Sequence, residues 1–258
     1  MRTTIVAPGR QLAPFVRKFT FVEADEQATR VLVPDGTVIA GFRFGGHACV
    51  VDDAAGLVRM PDASFAGLRG TARRMRTSAG GGVVLASFHA GAAAAFFRAP
   101  QHELYGATVP LDVLAPRGAV DETAERVREA KDHAAKVAAF EAFLLARLDA
   151  ARIDPLVTEA ARRVASDPAG VRVAPLAHAL GLSQDRLEKR FRRAVGTTPK
   201  QLASIVRLRR AVDGYRAGGT LTRTALDAGY FDQSHFNRAF RAATGLTPRA
   251  FFGGGEHC

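Results

Sequence analysis

The sequence predicts an α+β protein in two parts: an N-terminal small β-barrel with helices, then a C-terminal all-α domain with two helix–turn–helix units. Three observations predict it. The first 90 residues are a series of short runs rich in Val and Phe, separated by turn residues. The last third contains an internal repeat at an offset of 48 to 49 residues. Positive charge is concentrated in that same part. Residues 155–258 carry 17 Lys and Arg against 8 Asp and Glu, a net of +9, whereas residues 1–154 carry 19 against 17, a net of +2.

The bulk properties set the frame. A chain of 258 residues suits one large domain or two small ones. Hydrophobic residues at 47% and charged residues at 24% are near globular averages, which excludes a disordered chain, a collagen and a membrane channel. No run approaches the roughly 18 apolar residues of a spanning helix. Arg10, Arg17, Lys18, Glu23, Asp25 and Glu26 interrupt any apolar signal-peptide core, so export is not expected. Two cysteines, Cys49 and Cys258, cannot make a disulfide framework or a Cys-rich zinc site, and a cytoplasmic location is expected.

Along the first half, residues 15–22 place Phe15, Phe19 and Phe21 on one side of a strand and Val16 and Val22 on the other. Further strands are predicted at 30–33, 37–44, 48–51, 64–68 and 83–89. Pro34-Asp35-Gly36, Gly45-Gly46, Asp52-Asp53 and Gly80-Gly81-Gly82 are the turns between runs. Short strands at this spacing suggest a sandwich or small barrel. The alanine-rich stretch 90–98 is predicted helical, and 100–105 a short helical turn. A long helix is predicted over 120–152. Val127, Phe140, Leu144 and Leu148 fall at helical intervals along it, and Asp121, Glu122 and Glu125 favour its start. Asp154-Pro155 opens another helix. The expected organisation is a β-rich domain over 1–119, a linker helix over 120–154 and a helical domain over 155–258.

The repeat gives that helical domain its form. Ala177 matches Ala225 at an offset of 48; Phe191 matches Phe240, Gly196 matches Gly245 and Pro199 matches Pro248 at 49. Each copy reads as helix, glycine turn, helix. Gly181 and Gly229 end the first helices, and Ser183 and Asp232 cap the second ones. Leu187, Phe191 and Ala194 form the buried stripe of one, Phe236, Phe240 and Ala243 that of the other. The opposite faces carry Asp185, Arg186, Lys189, Arg192 and Arg193 in the first copy, and Ser234, Asn237, Arg238 and Arg241 in the second. A single arginine-rich face is commonly just a solvated surface. Two copies, each with small residue, glycine turn, cap and basic face, point to double-stranded DNA, whose major groove admits a helix and whose base edges Arg, Lys and Asn read.

Residues 155–252 resemble the AraC/XylS class of bacterial transcription regulators. The segment from Gly229-Tyr230-Phe231-Asp232-Gln233-Ser234-His235-Phe236 to Gly245-Leu246-Thr247-Pro248 is similar to the family's signature, and Gln201–Tyr215 occupies the place of its connecting helix. The resemblance implies a sequence-specific DNA-binding transcription regulator whose reading helices fall on 183–195 and 232–244. It implies base-facing roles for Asp185, Glu188, Lys189, Gln233, Ser234, Asn237 and Arg238; Ser183, Arg186, Arg192, Arg193 and Arg241 complete the expected DNA-binding residues. Three positions depart from the pattern: Thr224 replaces an aliphatic residue, Tyr230 replaces Phe, and Phe252 replaces an Arg. They are expected to soften the second unit's core or remove a phosphate contact.

The first half resembles, more weakly, the N-terminal domains of one group of these regulators. It does so through Val33-Pro34-Asp35-Gly36, Ser64-Phe65-Ala66-Gly67, Ser87-Phe88-His89-Ala90-Gly91-Ala92-Ala93-Ala94-Ala95-Phe96-Phe97, His102-Glu103-Leu104 and Val109-Pro110-Leu111-Asp112. The resemblance implies a domain that senses a small-molecule effector, dimerises, or both. An eight-stranded barrel can hold one small ligand or be packed solid, and the sequence leaves both open. His47, His89 and His102 with Glu103 lack metal-site spacing, and no nucleophile elbow, P-loop or dinucleotide fingerprint is present. No catalytic residue, metal or cofactor is therefore expected. A non-specific architectural DNA binder and a barrel enzyme fused to a DNA-binding domain are the alternatives to a sequence-specific regulator. The expected partners are promoter DNA, RNA polymerase, an effector and a second copy of the chain, with no membrane.

Overall fold

The structure, a computed structural model, describes residues 1–215 and 220–253. Cys258 lies outside the described residues. The first half forms strands β1 (Arg2–Val6), β2 (Val16–Ala24), β3 (Ala28–Leu32), β4 (Ile39–Gly45), β5 (Ala48–Asp52), β6 (Gly56–Arg59), β7 (Ala63–Ala66), β8 (Arg73–Thr77), β9 (Gly81–Phe88) and β10 (Thr108–Pro110). They make two antiparallel sheets. One runs β1-β2-β9-β4-β7-β10, the other β3-β8-β5-β6.

The six predicted strands correspond to β2, β3, β4, β5, β7 and β9. Four others carry no apolar alternation. β8 reads Arg73-Arg74-Met75-Arg76-Thr77, and it is a strand because β3 and β5 hydrogen-bond to it on both sides. β6 is exposed throughout and follows from its turn, where the Asp52 carboxylate accepts the N–H groups of Ala54 and Ala55. The alternation predicted for residues 15–22 is broken by a register shift between Val16 and Lys18. Val16 is therefore buried with Phe19 and Phe21, and Phe15 only partly.

The long helix predicted over 120–152 is two helices, α1 (Arg117–Glu129) and α2 (His133–Leu145), followed by a short 3-10 turn at Ala150–Arg152. Ala130 is extended, and Asp132 caps α2 by accepting the Ala135 N–H at 2.8 Å. Lys136 then donates to the Val127 carbonyl at the end of α1, closing the hairpin. The hairpin is no free linker. Phe140 lies 5.5 Å from Phe19 and 4.8 Å from Phe42, and Phe143 lies 5.3 Å from Phe42. These helices cover the larger sheet and complete its core. Of the predicted helix over 90–98, only a 3-10 turn at Ala92–Ala95 forms.

The second half is helical: α3 (Pro155–Ser166), α4 (Val173–His178), α5 (Gln184–Val195), α6 (Pro199–Gly214), α7 (Leu221–Asp227), α8 (Gln233–Thr244) and α9 (Pro248–Gly253). The repeat is thus α4–α5 and α7–α8, joined by α6. The predicted turn glycines adopt the left-handed conformation, Gly181 at φ 67° and Gly229 at φ 83°. A side chain at Gly229 would also meet Ala169 Cβ at 2.8 Å. The two units differ in what they pack on. Leu187, Phe191 and Val195 of α5 join one continuous core with the sheets. Tyr230, Phe236, Phe240 and Phe251 form a separate core with Leu208, Ala211, Ala225 and Ala228, to which Val33 also contributes. α6 spans both, burying Leu202, Ala203 and Ile205 in the first and Leu208 and Ala211 in the second. No helix among the described residues is long and apolar enough to cross a membrane.

Candidate nucleic-acid interface

Each reading helix starts at its predicted cap. Ser183 Oγ accepts the Arg186 N–H at 3.3 Å, and Asp232 Oδ1 accepts the His235 N–H at 2.6 Å. The buried stripe of α5 ends on Val195, with the predicted Ala194 half-buried; in α8, Phe236 and Phe240 are buried and the predicted Ala243 is half-buried. The repeat supplied the right face, one residue out of phase at its far end.

On α5, Ser183, Asp185, Arg186, Lys189, Arg192 and Arg193 are exposed. Arg186, Lys189 and Arg193 make no ion pair with a described residue. Glu188 is different. It is half-buried, accepts from Gln184 Nε2 at 2.9 Å and lies 3.5 Å from Arg192. Here it orients its neighbours. On α8, Ser234, Arg238 and Arg241 are exposed, and neither arginine has an ion pair with a described residue. Gln233 is half-buried, and Thr222 Oγ1 donates to its Oε1 at 2.6 Å. Asn237 is half-buried, and its Oδ1 is enclosed with no hydrogen-bond partner among the described residues. It does not lie fully on the outer face that the helical wheel gave it.

The scaffold behind these faces is fixed by contacts that span many residues. Arg190 donates from Nε and Nη2 to the two oxygens of Asp154, both at 2.7 Å, while Asp154 also caps α3. This fork ties the start of α3 to the side of α5. Arg210 Nη2 donates to the Ala165 and Ser166 carbonyls at the end of α3, at 2.8 and 2.9 Å. The guanidinium of Arg207 lies 5.1 Å from the Tyr230 ring, joining α6 to the turn before α8. The three departures from the family pattern are accommodated. Thr224 is buried and donates to the Thr220 carbonyl. Tyr230 packs 5.1 Å from Phe236. Phe252 stacks on Tyr215 at 3.8 Å, clamping α9 to the end of α6.

Two basic residues escaped the helical-wheel reading. Lys200 and Arg249 follow Thr198-Pro199 and Thr247-Pro248, 49 residues apart, and both are exposed at the second position of a helix. A cation there opposes the helix dipole, so its recurrence is itself a signal for an external anion. The repeat contained that signal.

The first half touches both units. Gln201 Nε2 donates to the Tyr105 hydroxyl at 2.5 Å, and the Ala72 N–H donates to the Ala243 carbonyl at 2.7 Å. The interior between sheets and hairpin is filled by Phe19, Phe21, Phe42, Phe65 and Phe88. Open space lies instead at the seam with α6. A cavity of about 220 Å³ is walled by Leu32, Pro34, Ile39 and Leu85, and its charged lining is Arg69, Arg73, Asp35 and Arg209, the last paired with Asp213. Burial, helped by the charge of Arg69, lowers the pKa of Arg73 to about 10, and Arg73 donates to Thr108 Oγ1 at 2.9 Å. Neither Arg69 nor Arg73 has an ion pair with a described residue.

Comparison with known proteins agrees with this architecture. Residues 176–253 match a family described as a helix-turn-helix domain, and residues 4–110 match a family described as a domain of unknown function (DUF6597). No curated protein matches the chain. Among solved structures, ToxT from Vibrio cholerae is 12% identical, covers 90% of this chain and 96% of its own, and superposes with a TM-score of 0.51. A DNA-binding transcriptional dual regulator from Escherichia coli K-12 is 27% identical over 38% of this chain and 95% of its own, with a TM-score of 0.33. The C-terminal domain of AraT, a response regulator from Geobacillus stearothermophilus, is 21% identical over 39% of this chain and 85% of its own, with a TM-score of 0.37. A sheet-rich half carrying two repeated helix-turn-helix units on one connecting helix defines a two-part DNA-binding regulator. Residues 176–253 carry a helix-turn-helix domain of the AraC/XylS type, the domain by which transcription regulators of that class bind DNA.

Proposed function

We propose that the protein recognises a specific promoter sequence by inserting α5 and α8 of one chain into successive major grooves. The observation that carries this reading is the pair of exposed basic faces, with Arg186, Lys189 and Arg193 on one unit and Arg238 and Arg241 on the other free of ion pairs to described residues, on two units joined by α6, whose apolar face is buried in both cores. Successive grooves on one face of B-DNA lie about 34 Å apart, so each chain is expected to protect an asymmetric site of about two turns. Footprinting the full-length protein on sites selected from random duplexes tests this. Protection of a single groove, or binding without sequence preference, would contradict it. On such a site Arg238→Ala is expected to cost about 1–3 kcal/mol, with a much smaller loss on random DNA. Equal losses on both would make Arg238 a phosphate contact.

The effector on this reading is a small anion with an apolar body, seated at the seam by Arg69 and Arg73. Arg209 on the same wall belongs to α6, so a ligand there would bear on the element that sets the spacing of the two units. Calorimetric titration with short-chain carboxylates and phosphomonoesters is expected to give binding that Arg73→Ala weakens by about tenfold or more. Unchanged binding in the variant would remove Arg73 from the site. A second copy joined through the first half would add a second such DNA site.

A further inference from the structure

Phe231 is the most exposed large apolar side chain among the described residues, at 87%. The repeat explains how it came to be outside. The two copies run at an offset of 48 through Gly181 and Gly229, and at 49 from the caps Ser183 and Asp232. One residue is therefore inserted between glycine and cap in the second copy. Leu182 stands there in the first; Tyr230 and Phe231 stand there in the second. An apolar residue just before a cap ordinarily folds back onto the first turns of its helix. Leu182 is half-buried and packs on the main core. In the second copy Tyr230 takes the inward place, only 4% exposed and packed against Phe236. Phe231 is left with no ring contact to a described residue.

Its surroundings define what could cover it. It directly precedes Asp232, Gln233 and Ser234, at the N-terminal end of α8, and the same helix carries the unpaired Arg238 and Arg241. A polyanion drawn to those arginines would meet the ring at its edge. We propose that Phe231 contacts duplex DNA, its ring lying against the 5-methyl group of a thymine at the rim of the major groove read by α8. The inference rests on the reading of α8 as a DNA helix. The thymine methyl is the apolar feature of the major groove, and Phe is among the side chains that read it. In helix-turn-helix proteins the N-terminal residues of the reading helix are the ones that reach base edges. The inserted residue thus gives the second unit a thymine preference that the first unit, with Leu182 turned inward, lacks.

The test starts from sites selected from random duplexes with the full-length protein. Each thymine in the half protected by α8 is replaced in turn by deoxyuridine, which removes only the methyl group. At one position the wild type is expected to bind the deoxyuridine site about three- to tenfold more weakly. Phe231→Ala should show a similar loss on the thymine site and no discrimination between the two bases, while Phe231→Leu restores part of it. Wild-type affinity in Phe231→Ala overturns the proposal, as does a loss of affinity that keeps full thymine discrimination at every position. Unchanged DNA binding with reduced transcription would assign the ring to a protein partner and equally overturn it. If the wild type selects no sequence at all, the DNA reading of α8 fails, and this inference fails with it.

Discussion

Phe240→Ala is expected to unfold the second helix-turn-helix unit while the rest of the protein stays folded. Phe240 is fully buried, with its ring 5.4 Å from Phe236, 5.2 Å from Phe251 and 5.7 Å from Phe252. Truncation removes the ring and leaves a cavity that α8 and α9 cannot fill without moving, at a cost of about 3–5 kcal/mol. The core losing this ring is small and separate from the one shared by the sheets, α2 and α5. A loss of that size is comparable to the whole stability of a small domain. Thermal unfolding followed by circular dichroism should therefore change from one transition to two, the first lying well below the wild-type midpoint. The footprint should shrink to the groove served by α5. A single, slightly shifted transition with the full footprint intact would mean that the second unit draws its stability from α6 and Val33 more than from its aromatic cluster.

The sequence made the repeated unit legible because every device in it is local. A small residue, a glycine that must take positive φ, a cap and an i, i+4 apolar stripe all fall within about twenty residues, and each appears where the repeat puts it. What could not be read depended on distant partners. The fork from Arg190 to Asp154 joins residues 36 apart with no pattern between them. β8 is a strand only because β3 and β5 flank it, and its arginines hide that. The break at 130–132 was missed for the opposite reason. Apolar residues on both sides keep helical spacing, and one aspartate acting as a cap divides them. Among the candidate contacts, exposure follows the wheel for Arg186, Lys189, Arg193, Arg238 and Arg241. Asn237 departs from it, because the local packing encloses its amide oxygen, whereas Glu188, half-buried against Gln184 and Arg192, departs only from the base-facing role that the resemblance implied.

Affinity for DNA is expected to fall by about a thousandfold between 50 and 200 mM salt. The domain's net charge of +9 overstates the cations available, because many are already engaged. Arg162 and Arg163 pair with Glu159, Arg209 with Asp213, Arg223 with Asp227 and Arg190 with Asp154. Arg186, Lys189, Arg193, Lys200, Arg241 and Arg249 are exposed and without an ion pair to a described residue. If each neutralises one phosphate, about six counterions are released, and log K against log salt has a slope of about −5. A fourfold rise in salt then costs about three powers of ten. Lys200→Ala should weaken binding by a similar factor on specific and random DNA and make the slope shallower by about 1, because it removes a phosphate contact and no base contact. Arg238→Ala should differ in kind, lowering specific affinity with a smaller change in slope. Titrations by fluorescence anisotropy at four or five salt concentrations separate the two. A slope near −2 for the wild type would mean that only one helix engages the backbone, and a full slope in Lys200→Ala would place the start of α6 away from the phosphates.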